Sequence, residues 1–208
     1  MPSLPLTFEH IDRQPYKDVP DIDDASRINY DAWQIKYDGI WGRFEFKNNC
    51  YWIYSRDNKL KEHGRVEQEV MFPSEFTLIG EFLVSSQWAQ DPKWKGKFFA
   101  FDCIKFESFD LRKKSYLDRY HKAKEIVASL SWDKVQLAKN FRRCDLEGFW
   151  SKIRDDHSYE GVVFRKFEDN YAQTVHRLKL ELEDEFVITS WKPGEPSGRH
   201  HSRMGAVL

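Results

Sequence analysis

The sequence predicts an α+β protein with antiparallel sheets flanked by helices. Aromatic and β-branched residues alternate with a period of two in several short runs, and only two stretches have helical spacing. Residues 1–31, rich in Pro and Asp (Pro15, Pro20, Asp21, Asp23, Asp24), have no sustained period and read as an extended arm. The alternation begins at Ala32 and runs to Tyr54, interrupted at Lys47-Asn48-Asn49 in the manner of an antiparallel hairpin. Further strands are expected from Phe76 to Val84, Lys97 to Lys105, Gly161 to Phe167, His176 to Leu180 and Glu185 to Trp191. Leu117, Tyr120, Lys124, Val127 and Leu130 fall near helical spacing. Asp145 is placed to cap a second helix whose buried face holds Leu146, Phe149, Trp150 and Ile153. From Trp191 to Ser202 the composition shifts to Pro, Gly, Ser and His, as in a turn or linker, and Met204-Gly205-Ala206-Val207 reads as the start of another strand.

A chain of 208 residues supports one sizeable core, and its 40% hydrophobic content argues against general disorder. No apolar run reaches the roughly 18 residues of a membrane span. The first residues lack the features of a signal peptide, so the expected compartment is the cytoplasm, of a bacterium or a phage-infected host. Cys50, Cys103 and Cys144 have no metal-ligand spacing and are expected to be reduced thiols, and His200-His201 joins no metal-binding set. With 33 basic and 34 acidic residues the net charge is −1, which argues against a coating role on nucleic acid; any nucleic-acid face must be local. Arg112-Lys113-Lys114 and Lys139 to Arg143 are the basic stretches available for one, although each equally fits a solvated helix face.

Five short motifs bear on chemistry. In Gln34-Ile35-Lys36-Tyr37-Asp38-Gly39 a lysine ends a strand-like run, followed closely by an acid and a glycine. Alone, this is most simply a solvated lysine before a turn; in a desolvated, cationic setting the amine becomes a nucleophile toward phosphorus. Leu78-Ile79-Gly80-Glu81-Phe82 sets a carboxylate inside an apolar strand, where an unpartnered acid is costly. Phe98-Phe99-Ala100-Phe101-Asp102 can offer a ring to a purine, or simply fill a core. Glu160-Gly161-Val162-Val163-Phe164-Arg165-Lys166 repeats the order acid, glycine, apolar strand, base, and Glu160 is an oxygen ligand of the kind Mg²⁺ prefers. Arg177-Leu178-Lys179 places two cations on one strand face, suited to phosphate or to solvent.

In order and chemistry these elements resemble the covalent nucleotidyltransferase superfamily of DNA ligases, RNA ligases and mRNA capping enzymes. The resemblance is nearest to the compact ATP-dependent DNA ligases of phage type, and it runs from Ala32 to the C-terminus. It implies an ATP-grasp-like ligase adenylation domain over residues 32–184, using ATP and Mg²⁺ on nicked duplex DNA. Lys36 would form lysyl-AMP, Gln34 would contact the adenine, and Phe101 would stack on it. Glu81 would engage the ribose and assist the metal, Glu160 would bind the metal, and Arg177 and Lys179 would neutralise the α-phosphate. Ser55-Arg56 resembles the Ser/Thr-Arg element whose arginine grips AMP or the 5′-phosphate at the nick.

The sequence departs from the family at two places. The arginine normally found two residues after the first motif's glycine is replaced by Trp41, and Arg43 stands two residues further on, about 7 Å along the same strand face. Arg43 is therefore expected to reach the ribose or the nick phosphate in its stead. Residues 185–208 resemble the beginning of an OB-fold domain, too short to close a five-stranded barrel. The expected protein is a monomer, or one that takes the remainder of that domain from a second chain. The alternatives are an RNA ligase of the same superfamily and a nucleotide- or nick-binding fragment dependent on a partner.

Overall fold

The computed structural model describes residues 11–66, 75–84, 94–156, 159–180, 191–193 and 204–207. The first half of the chain forms β1 (Tyr16–Val19), α1 (Ile22–Arg27), β2 (Ala32–Lys36), β3 (Ile40–Lys47), β4 (Cys50–Ser55), β5 (Leu60–Arg65), β6 (Glu75–Phe82) and β7 (Phe98–Phe106). The second half adds β8 (Phe109–Asp110), α2 (Tyr116–Leu130), β9 (Val135–Leu137), β10 (Phe141–Arg142), α3 (Leu146–Asp156), β11 (Gly161–Arg165), β12 (Val175–Lys179), β13 (Trp191–Pro193) and β14 (Met204–Val207). The fold is α+β, as the alternation implied. Among the described residues no helix is long and apolar enough to cross a membrane.

The larger sheet has seven strands in the order β5-β4-β3-β6-β7-β8, with β9 added in parallel to β7. Its centre is the β3–β4 hairpin, turned by Asn48 and Asn49 at φ 50° and 60°, a left-handed pair that asparagine tolerates better than most residues. One face of this sheet packs Phe44, Ile53, Phe76, Leu78 and Phe98 against Ala123, Ile126 and Leu130 of α2. Truncating one of these rings to alanine would cost about 3–5 kcal/mol. The buried stripe of α2 is offset from the expected one: Ala123 and Ile126 face the core, whereas Lys124 is exposed. Ser115 caps this helix through the Asp118 amide. On the same helix the fully buried Arg119 forms a bidentate pair with Asp102 (2.8 and 2.9 Å) and donates to the Lys114 and Asp169 carbonyls. That pair ties α2 and the loop after β11 to β7, and removing one partner would cost about 3–5 kcal/mol.

The smaller sheet has five strands in the order β1-β12-β11-β2-β10, antiparallel except for the parallel β1–β12 pair. Its apolar face, with Trp33, Val162, Phe164 and Leu178, packs against Ala25 of α1 and Leu146, Phe149 and Trp150 around α3. Residues 16–31, expected as an extended arm, thus supply an edge strand and a short helix to this core. Asp145 ends a single 3-10 turn that runs directly into α3. The side chain of Ile153 lies outside the described residues, as does most of the strand expected from Glu185 to Trp191. Within residues 185–208, β13 and β14 are described, as an antiparallel pair.

One correction matters for the site. The run from Ala32 to Tyr54 is not a single hairpin but three strands, and the chain changes sheet between β2 and β3. Gly39 permits the crossing, because a Cβ there would lie 2.6 Å from Leu83 Cδ2 and 2.9 Å from both Glu81 Cγ and the Phe82 carbonyl. The Lys-x-Asp-Gly motif is therefore the junction of the two sheets.

Candidate active site

Strand register brings the motifs together. β2 and β12 flank β11, so Lys36 and Lys179 lie in one row on either side of Gly161. No side chain fits at Gly161: its φ is +147°, and a Cβ would lie 2.1 Å from the Leu178 carbonyl oxygen. Glu160, immediately before it, reaches both lysines. One carboxylate oxygen pairs with Lys36 Nζ and the other lies 3.9 Å from Lys179 Nζ. The next row along the same face holds Gln34, Val163, Arg177 and Asp18.

Facing this row across a cleft is the end of the seven-stranded sheet, where Glu81 stands opposite Trp41 on β3 and Phe99 on β7. Burial pushes the Glu81 carboxyl up to about 7; Lys36 and Arg13 pull it down, and Glu160 and Asp38 raise it. Asp38 is raised too, by burial and by Glu160, with Lys36 opposing. Three carboxyl groups thus compete for the charge of Lys36. The cleft is partly open to solvent and has a cavity volume of about 70 Å³. Phe101 and Trp41 line one side, and Gln34, Val163 and Arg177 line the other.

Arg165 forms the floor. It is 5% exposed, with its guanidinium carbon 4.9 Å from the centroids of both Phe101 and Tyr116. Its Nε donates to Gln34 Oε1 (2.8 Å), and Gln34 Nε2 donates to the Ala138 carbonyl (3.0 Å), so both ends of that amide are fixed. Arg177 is held by Asp18 through two bonds of 2.8 and 3.0 Å.

Of the residues singled out in the sequence, Gln34, Lys36, Glu81, Phe101 and Arg177 line the cleft, while Glu160 and Lys179 join it through Lys36. Arg43 shares the Trp41 face, but its guanidinium lies against Glu45 (2.8 Å), Asn58 (3.1 Å) and the Tyr54 ring (4.9 Å), outside the cleft lining. Arg56 is exposed beside Asp57. Sequence reasoning missed Arg13, Gln14 and Tyr16 and gave Arg165 no specific role, although Arg165 alternates with Gly161 and Val163 on one strand face. Among the described residues no group of three or more His, Cys, Asp or Glu is disposed to hold a metal ion, and the three cysteines are free.

No family model matches the sequence, and neither does any curated protein. Solved structures do match the fold. Mycobacterial DNA ligase D complexed with ATP and MES is similar at TM-score 0.58 and 14% identity, over 84% of this chain and 62% of that one. A Lig E DNA ligase is similar at TM-score 0.61 and 15% identity, over 95% and 79%. The ATP-dependent DNA ligase of bacteriophage T7, in complex with ATP, is similar at 0.53 and 15%, over 94% and 80%. The chain spans about three fifths of the mycobacterial protein's length. At these identities the likeness is one of fold, and the fold of this chain is that of the ATP-dependent DNA ligase domains.

Proposed function

We propose that the chain is the nucleotidyltransferase core of an ATP-dependent DNA ligase, with Lys36 as its nucleophile. The observation that carries this reading is the convergence of Lys36, Glu160 and Lys179 at one edge of a cleft whose opposite side presents Glu81 and Phe101. In the first step Lys36 Nζ loses a proton and bonds to the α-phosphorus of ATP while the bond to pyrophosphate breaks. AMP then passes to the 5′-phosphate at a nick, and the 3′-hydroxyl displaces it to seal the strand. Each step is an attack at phosphorus that demands positioning and charge neutralisation.

The roles divide accordingly. Phe101 and Val163 hold the adenine between the two sheets, Gln34 meets its edge, and Glu81 takes the ribose. Lys179 and Arg177 offset the α-phosphate charge. Mg²⁺ is held by one or two carboxylates together with substrate phosphates, not by an all-protein cage, and Glu160 and Glu81 fit that limited donor set. Bound there, it would offset charge on the phosphoryl oxygens. The nick phosphate falls to Arg56, whose side chain is 60% exposed, in preference to Arg43 at 2%.

Sealing assays on a 5′-phosphorylated nick test the assignment. Joining of nicked DNA with ATP, and not with GTP, is expected. Joining confined to nicked RNA would replace the reading with an RNA ligase. Failure on both, relieved only by adding a second chain, would make the protein a partner-dependent fragment.

A further inference from the structure

Three cleft-lining residues, Arg13, Gln14 and Tyr16, come from the segment before β2, to which the ligase reading gives no task. This segment is built into the site. β1 pairs with β12 in the register Tyr16 to Val175 and Asp18 to Arg177, and the Val175 amide donates to the Pro15 carbonyl (2.8 Å). Asp18 accepts both bonds from Arg177. The Tyr16 ring lies 3.4 Å from the Arg177 guanidinium carbon and 4.6 Å from that of Arg13, and Gln14 accepts from Arg165 at 3.3 Å.

The cleft cations differ in what already holds them. Lys36 has Glu160, Arg177 has Asp18, and Arg165 is fixed by two amides and two rings. Arg13, half-buried, has an aromatic ring and, among the described residues, no carboxylate at ion-pair distance. Its charge is felt by Glu81 across the cleft. A cation so placed is complementary to an anionic ligand in the same space as Lys36.

We propose that Arg13 is a nucleotide-binding residue that contacts the phosphates of a nucleoside triphosphate, and that Asp18 and Tyr16 are positioning residues that dock its segment onto Arg177. The inference rests on reading the cleft as the ATP site. It makes the parallel β1–β12 pairing part of the binding site, since any slip of β1 moves Arg13 with it.

Affinities of the full chain for α,β-methylene ATP, which cannot release pyrophosphate, and for adenosine test the proposal by calorimetry. Arg13→Gln should weaken the triphosphate analogue about tenfold and leave adenosine unchanged, with Arg13→Lys recovering most of the loss. Asp18→Asn, which loosens β1 from Arg177, should weaken the analogue and leave adenosine unchanged. Equal loss for both ligands would make Arg13 a structural residue and overturn the proposal, as would unchanged affinity for both. If the unmodified chain binds neither ligand, the nucleotide reading of the cleft fails and this inference with it. Normal binding by the unmodified chain and by Arg13→Gln sinks the inference alone.

Discussion

The five-stranded sheet meets the cleft with charge, whereas the seven-stranded sheet meets it with rings and one half-buried carboxyl. On the first, Lys36 pairs with Glu160 and the buried Arg177 with Asp18, so their burial is compensated at close range, and the exposed Lys179 lies beside the same Glu160. On the second, Glu81 has no ion pair among the described residues, and burial resists its ionisation. The same distinction separates the proposed tasks. On the proposed reading the paired wall holds the groups that act on phosphorus, with Gln34 and Val163 beside them at the adenine, and the aromatic wall offers Phe101 and Glu81 to the nucleoside. Rate should therefore depend chiefly on Lys36, Glu160 and Lys179 of the smaller sheet, and affinity for the nucleoside on Phe101 and Glu81 of the larger.

Glu160→Gln should give the largest effect. Losing the carboxylate that joins Lys36 to Lys179 should slow formation of the AMP adduct by at least about 100-fold, with adenosine affinity nearly unchanged. Single-turnover kinetics measure the first quantity and calorimetry the second; a variant that kept its rate but lost affinity would reverse the division between the sheets.

Phe101→Ala should act on the opposite term. Removing the stacking ring should raise the ATP concentration needed for half-maximal rate by about tenfold, corresponding to roughly 1–3 kcal/mol for base stacking, and leave the saturated rate within about twofold. Initial rates over an ATP titration would show which of the two moves.

The smallest effect is the most specific to burial. The Glu81 carboxyl rises from an ordinary 4.5 to about 7 in the folded chain, so the native protein holds this proton more tightly than the unfolded one. Its contribution to stability is fully present below pH 4.5 and is lost as pH rises through 7. Glu81→Gln removes that titration. Its melting temperature relative to the parent should therefore increase from pH 5 to pH 8 by roughly 5–10 °C. A difference that stays flat across this range would show that Glu81 ionises freely and that the aromatic wall does not exclude water.

The two walls were not equally readable from sequence. Strands β3, β4, β6 and β7 announce themselves because each alternates large apolar residues toward one core. β5 does not, since Leu60–Arg65 is an edge strand with Lys61, His63 and Arg65 in solvent and no continuous apolar face. β1 is hidden for a different reason: its pairing partner lies far along the chain, and no local pattern records a parallel contact made across more than 150 residues. Among site residues, Glu81 could be found because an acid set into an apolar strand is costly, and Glu160 because it stands immediately before one. Arg43 illustrates the reverse. Its strand face could be inferred, yet one step of two residues carried it from the cleft to Glu45 and Asn58. Arg13 left no local signal, because its place in the cleft depends on Tyr16, Asp18 and β12 together.

The central claim is that Lys36 is the nucleophile, and the most direct measurement is the mass of the intact chain after incubation with ATP and Mg²⁺, followed by peptide mapping. One added AMP, mapped to Lys36 and absent from Lys36→Ala, is the expected result. An adduct on another residue, or one that persists in Lys36→Ala, would contradict the assignment.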